Sequence, residues 1–170
     1  MNLKESSTSV ALDKVSAHFS ASHALISDDY EEGFHGHNYQ VEVEVEGEID
    51  ENNMIIDFVF LENLICRIVS SWDHYVLLPS NNRYIEFKEN NHNMEIMYGD
   101  RYYSIPKTEI KMLDCTNVTT EALARLLGGK IRDHLKKEVF WKRIEAIKVT
   151  IWETSRYRAS YTIKTNFSEY

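Results

Sequence analysis

Three histidines are the residues of this chain whose type and spacing best suit metal chemistry. His35 and His37 flank a single glycine and continue the apolar side of an alternating segment, in which the odd positions of residues 39–45 are apolar. Alternate residues of a strand point to the same side, so these imidazoles would lie about 7 Å apart on one face. His23 ends the apolar side of the preceding alternating segment. A hairpin between the two segments would bring all three imidazoles together.

This arrangement indicates a catalytic zinc site. Three neutral imidazoles can hold Zn²⁺ and leave a fourth position for water or substrate, whereas structural zinc sites more usually recruit cysteine. The two cysteines, Cys66 and Cys115, are not near the histidines in the sequence. Gly36 removes a side chain from the opposite face and would permit another backbone to approach closely. The alternative is that these are surface or hydrogen-bonded histidines, because pairs of this spacing also occur by chance.

The rest of the sequence contains strand and helix periodicities with few gaps. In chain order the segments are a strand over 15–23, a polar loop over 27–33, a strand over 35–46, a helix after the N-cap Asp57 that ends before 73–74, a hairpin-rich insertion over 84–113, a helix after 117–120, and strands around 147–153 and 159–163. The economical packing is an α+β fold, in which a four-stranded antiparallel sheet carries both helices on one face. With its β-hairpin insertion, the chain is expected to form one domain over residues 1–170.

Composition and charge exclude several classes of protein. Lys and Arg total 19 against 27 Asp and Glu, and the resulting net charge of −8 disfavours nucleic acid as a partner. No run of about 18 apolar residues predicts a membrane span, and the polar segment Met1 to Val10 lacks the apolar stretch of a signal peptide. Two cysteines are too few for a disulfide framework. We therefore expect a cytoplasmic protein with no membrane partner.

Six short blocks of sequence occur in order between residues 12 and 163. They are Phe19-Ser20-Ala21-Ser22-His23, His35-Gly36-His37-Asn38-Tyr39, Met54-Ile55-Ile56-Asp57-Phe58, Asp73-His74, Thr119-Thr120-Glu121 and Ile151-Trp152-Glu153. Together they resemble the 6-pyruvoyl-tetrahydropterin synthase family, which also contains the 6-carboxytetrahydropterin synthases of deazapurine biosynthesis. The resemblance implies zinc on His23, His35 and His37, and 7,8-dihydroneopterin triphosphate as substrate. It also implies a tunnelling fold, in which subunits join their sheets into a barrel, as a homohexamer built from two trimers.

One difference from the family concerns the catalytic base. Members that make the pyruvoyl or carboxy products carry a cysteine a few residues before the His-Gly-His motif, but this chain has Glu31-Glu32-Gly33-Phe34 there. The spacing Glu-x-x-His-Gly-His, with Glu32 as its glutamate, resembles the family branch that releases 6-hydroxymethyl-7,8-dihydropterin. Glu31 is the neighbouring candidate for the same role. The alternative is that both acids only solvate a loop.

The exchange of a thiol for a carboxylate has a chemical reason. The reference pKa is about 8.5 for cysteine and about 4.3 for glutamate, so the carboxylate is the weaker base for a carbon acid. It suffices for a hydroxyl that a zinc ion acidifies. Loss of the 2′-hydroxyl proton would then drive retro-aldol cleavage of the C1′–C2′ bond, with the ring imine accepting the electrons. Burial near Phe34 is expected to raise the glutamate's pKa towards neutrality.

Asp73 and His74 are expected to form an acid–base pair in which the aspartate orients the histidine, as the resemblance implies. Adjacent side chains do not face each other on a regular helix or strand, so a direct hydrogen bond requires an irregular helix end. His74 would protonate the carbon left after cleavage. The alternative is a histidine stabilised by the dipole at the C-terminus of a helix.

Glu153, Thr119 and Thr120 are expected to bind the pterin. Glu153 continues an apolar strand face, where a carboxylate is costly unless it is paired. The resemblance implies that it accepts two N–H bonds from the aminopyrimidine edge of the pterin, and the alternative is a salt bridge with Arg156 or Arg158. The two threonines precede a helix and could cap it, while the family uses the same turn to contact the pterin. Both roles can coexist.

These interpretations lead to three hypotheses about function. The preferred one is a zinc-dependent lyase that converts 7,8-dihydroneopterin triphosphate into 6-hydroxymethyl-7,8-dihydropterin, with Glu32 as base and His74 as acid. The second keeps the enzyme class but gives a 6-pyruvoyl or 6-carboxy tetrahydropterin. The third is a zinc-holding, pterin-binding assembly protein without catalysis, which would bind pterin tightly and not turn it over.

Overall fold

The structure, a computed structural model, describes residues 7–165 apart from the side chains of residues 14 and 15. The segment Met1 to Val10 is predicted to lack the apolar stretch of a signal peptide, and its residues 1–6 lie outside the described residues. The strands and helices are, in chain order, β1 (Thr8–Ile26), β2 (Glu31–Gly47), α1 (Phe58–Val69), β3 (Tyr75–Pro79), β4 (Glu86–Asn90), β5 (Asn93–Tyr98), β6 (Arg101–Pro106), β7 (Ile110–Leu113), α2 (Thr120–Leu135), β8 (Ile144–Trp152) and β9 (Arg158–Lys164).

The main sheet has six strands in the order β7-β3-β1-β2-β8-β9. The pairs β1–β2, β2–β8 and β8–β9 are antiparallel, and these four strands form the predicted antiparallel sheet. The prediction of only four strands is nevertheless wrong, because β3 pairs parallel to β1 and β7 pairs parallel to β3. Both extra strands are short, five and four residues, so neither contains enough alternation to be recognised from periodicity.

Two helices cover one face of this sheet, as predicted. The side chain of Asp57 accepts a hydrogen bond from the Phe60 N–H and caps α1, and the Thr119 hydroxyl accepts from the Ala122 N–H and caps α2. The apolar faces of both helices join the inward residues of β1, β2 and β8 in one buried cluster. None of the helices in the described range is long and apolar enough to cross a membrane.

The insertion over residues 84–113 is larger than the predicted β-hairpin. Strands β4, β5 and β6 form a separate three-stranded antiparallel sheet, and β7 returns to the main sheet. This inserted sheet has its own apolar cluster, in which Ile96 and Tyr98 pack with Ala24 and Ile26 at the end of β1. The insertion therefore packs against the same end of β1 and β2 that carries the histidines.

The predicted polar loop over 27–33 is wrong in its extent. Strand β1 continues to Ile26 and β2 begins at Glu31, so the connection is a short turn in which the Ser27 N–H donates to the Tyr30 carbonyl over 2.7 Å. Glu31 and Glu32 therefore lie on β2 rather than in a loop. Cross-strand pairing with β1 extends the strand further than polarity alone suggested.

Candidate active site

The β1–β2 hairpin brings the three histidines together. His23 and His35 are direct cross-strand partners, and His37 faces Ala21 one pair further along. Their ring centroids lie 4.4 to 5.3 Å apart. One nitrogen from each ring lies within 4.8 Å of the other two. The register of the hairpin thus places His23 beside His35 and His37, although they lie twelve or more residues further along the sequence.

Backbone carbonyls orient two of the imidazoles. The Nδ1–H of His23 donates to the Val118 carbonyl over 2.6 Å, and the Nδ1–H of His35 donates to the Gly33 carbonyl over 2.9 Å. Each ring therefore presents the lone pair of Nε2, which is the usual way in which a second hydrogen bond fixes the tautomer of a metal-binding histidine.

The donor set fits a divalent metal ion. The Nε2 atoms of His23 and His37 are buried and have no hydrogen-bond partner among the described residues. Burial lowers the pKa of His23, so its imidazole is neutral and able to donate a lone pair at neutral pH. Buried polar atoms are nearly always satisfied, and a cation shared by three imidazoles would satisfy these.

Two carboxylates flank the imidazoles. An oxygen of Glu32 lies 3.7 Å from Nε2 of His35, and an oxygen of Glu153 lies 3.8 Å from Nε2 of His23 and 3.6 Å from that of His37. These distances exceed those of hydrogen bonds, so neither carboxylate satisfies the imidazole nitrogens that it flanks. Glu153 follows the last residue of β8, and its N–H donates to the Tyr157 carbonyl.

A β-bulge directs Glu32 towards the histidines. His23 pairs with His35 and Leu25 pairs with Glu32, so the single residue Ala24 faces two residues of β2. The extra residue reverses the alternation, and such bulges commonly re-aim a side chain beside an active site. Glu31 consequently points elsewhere and binds Arg101 of β6, with 2.8 Å between Oε1 and Nε.

The effect expected of Phe34 on the catalytic glutamate is wrong. The Tyr30 hydroxyl donates to Glu32 over 2.7 Å, and this hydrogen bond holds the pKa of the Glu32 carboxyl below its usual value. Phe34 packs edge-to-face on Tyr103 of the insertion, with 4.8 Å between ring centroids. It joins the apolar cluster of the inserted sheet instead.

Asp73 and His74 contact each other directly. As expected for adjacent residues, this contact depends on an irregular backbone at the end of the helix. His74 adopts a left-handed backbone conformation with φ of 62°, directly after the turns that end α1. Its Nδ1 lies 2.8 Å from Asp73 Oδ2, while Asp73 Oδ1 accepts from the Ser20 N–H over 2.8 Å. The dyad is therefore anchored to β1, and the His74 side chain is 84% exposed.

Within one chain the dyad and the three histidines use opposite faces of β1 and β2. His74 lines a cavity of about 380 Å³ together with Ser20, Ser22 and Asn38, and Ala21 and His37 also line it. Ser20 and Ser22 alternate with the buried residues of β1, including His23, and so face the other way. Among the described contacts, Glu32 and Glu153 lie within 4 Å of the histidines, whereas His74 pairs with Asp73.

The two threonines lie where α2 begins. The Thr119 side chain caps the helix, as predicted, and Thr120 is its first residue and is buried. The preceding residue, Val118, supplies the carbonyl that holds His23. The helix start is thus tied to the histidine cluster through the backbone, and the hydrogen bond of the Thr119 side chain is that of a cap.

A family model described as 6-pyruvoyl tetrahydropterin synthase matches residues 14–164. The chain belongs to this family. A relative from Pyrococcus horikoshii, named "Putative 6-carboxy-5,6,7,8-tetrahydropterin synthase", is 35% identical over 128 residues, which cover 75% of this chain and 73% of the relative. The "Dihydroneopterin monophosphate aldolase" of Pyrococcus furiosus is 28% identical over 141 residues, which cover 83% of this chain and 88% of the relative.

Solved structures of the synthase family share the fold. The 6-pyruvoyltetrahydropterin synthase of Plasmodium vivax has a TM-score of 0.88 at 22% identity, over 95% of this chain and 100% of that chain. Two variants of the same protein, in which a glutamate described as a catalytic residue is replaced by alanine or cysteine, also have TM-scores of 0.88, at 21% identity. The fold of the single chain that the resemblance implies is confirmed, and the chain lies in a family of lyases that act on pterins.

Sequence reasoning missed the residues that hold the candidate site in place. Tyr30 and Arg101 fix the two glutamates, and the carbonyls of Gly33 and Val118 fix two of the histidines. Backbone carbonyls carry no residue-type signal. Arg101 lies 70 positions from Glu31 in the sequence, so only the packing of the insertion reveals the contact.

Proposed function

We propose that this chain is a zinc-dependent lyase that cleaves the side chain of 7,8-dihydroneopterin triphosphate and releases 6-hydroxymethyl-7,8-dihydropterin. The observation that carries the proposal is the position of Glu32, whose carboxylate lies 3.7 Å from Nε2 of His35. In the product branches that use a thiol, a cysteine stands in this part of the sequence. Here Cys66 lies on α1 and Cys115 is buried before α2, so neither is placed in this segment.

His23, His35 and His37 would hold the zinc ion through their Nε2 atoms. When bound, the ion would polarise the oxygen atoms of the substrate side chain and lower the pKa of its hydroxyl. Glu32 would take the proton of the 2′-hydroxyl, for which its fixed position beside His35 suits it. Its lowered pKa keeps the carboxylate ionised but makes it a weaker base, so the reaction depends on the zinc ion to acidify the hydroxyl. The C1′–C2′ bond then breaks, its electron pair passes to the ring imine, and C2′ and C3′ leave as a phosphorylated two-carbon aldehyde.

Glu153 would orient the pterin. Its carboxylate lies within 4 Å of two of the histidines but, among the described contacts, it pairs with neither Arg156 nor Arg158. A free carboxylate beside the metal site can accept two parallel N–H bonds from an aminopyrimidine edge. Thr119 and Thr120 would contact the same ring from the start of α2.

His74 would protonate the carbon left after cleavage, with Asp73 holding its ring. Because the dyad and the three histidines face opposite sides of β1 and β2 in one chain, we propose that His74 serves the site of a neighbouring copy. This requires a homo-oligomer, and the family resemblance points to a homohexamer made of two trimers. Light scattering would test this arrangement, and a stable monomer with full activity would contradict it.

The names of two relatives support different reactions on a dihydroneopterin phosphate. The aldolase from Pyrococcus furiosus is named for cleavage of a dihydroneopterin monophosphate, which supports aldol chemistry and makes the monophosphate a second substrate to test. The relative from Pyrococcus horikoshii is named as a 6-carboxy synthase, which supports the second hypothesis of a carboxy or pyruvoyl product. The glutamate described as catalytic in the Plasmodium vivax protein supports a glutamate in this role, but that protein is named a 6-pyruvoyl synthase and so does not favour one product over the other.

Product analysis distinguishes these hypotheses. The zinc-loaded chain is incubated with dihydroneopterin triphosphate, and separately with the monophosphate, and the pterins are separated by chromatography. We expect 6-hydroxymethyl-7,8-dihydropterin and an equal amount of the phosphorylated two-carbon aldehyde. A 6-carboxy or 6-pyruvoyl product would overturn the proposal. Tight pterin binding without turnover of either substrate would favour the assembly protein.

A further inference from the structure

The turn between β5 and β6 of the insertion reaches the segment of β2 that carries both glutamates. Arg101 is the first residue of β6 and lies two positions after Gly99, whose φ of 53° favours glycine. The Arg101 Nε donates to Glu31 Oε1 over 2.8 Å, and each side chain is about two-fifths exposed. The insertion therefore contacts the active-site strand through an ion pair.

Gly33 provides the space that this guanidinium occupies. A Cβ at Gly33 would lie 2.3 Å from Arg101 Nη1, and the atoms of Arg101 are the neighbours it would meet within 4 Å. The backbone of Gly33 is not in the left-handed region, so the glycine is needed there for room and not for its conformation. Arg101 thus packs directly on the backbone of β2 at this point.

This contact lies on the bulge that shapes the metal site. Gly33 and Phe34 are the two residues that face Ala24, and the bulge directs Glu32 towards His35. The carbonyl of Gly33 also accepts the hydrogen bond from His35 Nδ1. One short segment therefore positions both the proposed base and a metal ligand, and Arg101 lies against it.

We propose that Arg101 is a positioning residue for this active site. By occupying the space at Gly33 and pairing with Glu31, it holds the bulge in the conformation that orients Glu32 and His35. A bulge disrupts the ladder hydrogen bonds locally, so an outside contact helps to define the position of its residues. The effect on turnover rests on the proposed function, whereas the effect on metal affinity depends only on the three-histidine site.

Two substitutions remove the contact in different ways. Arg101→Ala deletes the guanidinium. Gly33→Ala keeps both charges but displaces the guanidinium, because its end can move while the backbone of β2 cannot. Lys107→Ala is the matched control, since it breaks the ion pair with Glu89 in the same inserted sheet, away from β2. Partly exposed ion pairs contribute little to stability, so all three variants are expected to fold.

Zinc affinity is the first measurement, made by competition with a chromogenic chelator on the whole purified chain. Loss of an outer contact that orients a ligand typically weakens metal affinity or activity by about 10- to 100-fold. We expect a loss of about that size for Arg101→Ala and Gly33→Ala, and no change for Lys107→Ala. The spectrum of the Co²⁺-loaded chain should change in the first two variants, because the orientation of His35 is altered.

The double variant provides the decisive comparison. Once Arg101 is replaced by alanine, a Cβ at position 33 meets no side chain within 4 Å, so Gly33→Ala should have no further effect in that background. In turnover, kcat should fall by about tenfold while KM changes less, and Arg101→Lys should restore part of the loss.

The outcomes separate this proposal from the proposed function. Unchanged zinc affinity and an unchanged Co²⁺ spectrum in both single variants would overturn the positioning role, whatever reaction the chain catalyses. Additive losses in the double variant would also overturn it. If the parent chain gives a different product, the proposed function fails, but weaker zinc binding by the two variants would still support the role of Arg101.

Discussion

Glu32 lies beside His35, 3.7 Å from its Nε2 atom, although the two residues are three positions apart on one strand. In a regular strand an odd separation places two side chains on opposite faces. The bulge at Gly33 and Phe34 removes this conflict by adding one residue opposite Ala24. The same bulge sends Glu31 to Arg101, so the structure separates two adjacent acids of which the motif spacing favoured Glu32.

Replacing Glu32 by glutamine is expected to reduce kcat by about 100-fold or more, because general-base catalysis contributes about that much. Glutamine preserves the shape of the side chain and its contact with Tyr30 but cannot accept the proton. Glu42→Gln on the same strand is the control, since its side chain lies on the opposite side of β2 from the buried valines. Steady-state kinetics on both variants make the test. Undiminished turnover in Glu32→Gln would remove the residue from the mechanism and direct attention to Glu31.

Replacing His37 by alanine is expected to abolish stoichiometric zinc binding. Two imidazoles remain, and they cannot complete the three-ligand set of a catalytic zinc site. His134→Ala is the control, because this histidine is exposed on α2 and its Nδ1 contacts the Lys130 carbonyl of its own helix. Elemental analysis after dialysis gives the metal content. A full complement of zinc in His37→Ala would contradict the proposed ligand set.

Replacing Asp73 by asparagine is expected to lower the free energy of unfolding at neutral pH. The hydrogen bond from the Ser20 N–H, and then the one from His74, hold the pKa of the Asp73 carboxyl below its usual value. A carboxyl whose pKa is lower in the folded state stabilises the fold above its unfolded pKa, and this contribution is lost as the pH falls through the folded pKa. The difference from the parent chain, measured by urea denaturation, should stay constant from pH 7 to about pH 5 and shrink below about pH 4. A difference that does not depend on pH would contradict this electrostatic role.

Thiol alkylation is expected to leave turnover unchanged. Burial raises the pKa of the Cys115 thiol to about 11 and also raises that of Cys66, so both are mostly protonated and slow to react at pH 8. Neither is near the proposed base in the fold. Mass spectrometry after iodoacetamide treatment should show Cys115 unmodified, and Cys66→Ser should remain fully active. Inactivation that parallels alkylation of either thiol would revive a cysteine-based mechanism.

Two neighbouring glycines of α2 are expected to respond differently to alanine. A Cβ at Gly129 would meet no atom within 4 Å, so Gly129→Ala should stabilise the helix by about 1 kcal/mol. A Cβ at Gly128 would lie 3.3 Å from Ile163 Cδ1 of β9, so the same gain should be reduced or reversed there. Thermal unfolding of the two variants provides the comparison. An equal gain at both positions would show that α2 does not pack closely on β9.

Much of the hairpin that carries the metal site could be predicted from periodicity. Strict alternation along β2 placed His35 and His37 on the buried face, and the same parity on β1 placed His23 beside them. The N-caps of both helices, Asp57 and Thr119, were also recognisable from residue type. These features depend on neighbours in sequence, and local periodicity and backbone chemistry are sufficient to predict them.

Other features depend on contacts between distant segments. The two parallel strands β3 and β7 exist because they pair with β1 and with each other, and their own sequences are too short to indicate it. The lowered pKa of Glu32 depends on Tyr30, which reaches it because the chain turns tightly between β1 and β2. Arg101 reaches Glu31 because the inserted sheet packs on the end of β1.

The amino-acid sequence by itself determined the cluster of three histidines and the family, because alternation and short motifs encode them directly. Tertiary structure alone decided which glutamate faces the histidines. A single extra residue in one strand reverses the side-chain alternation, and only the pairing with the partner strand shows where that residue lies.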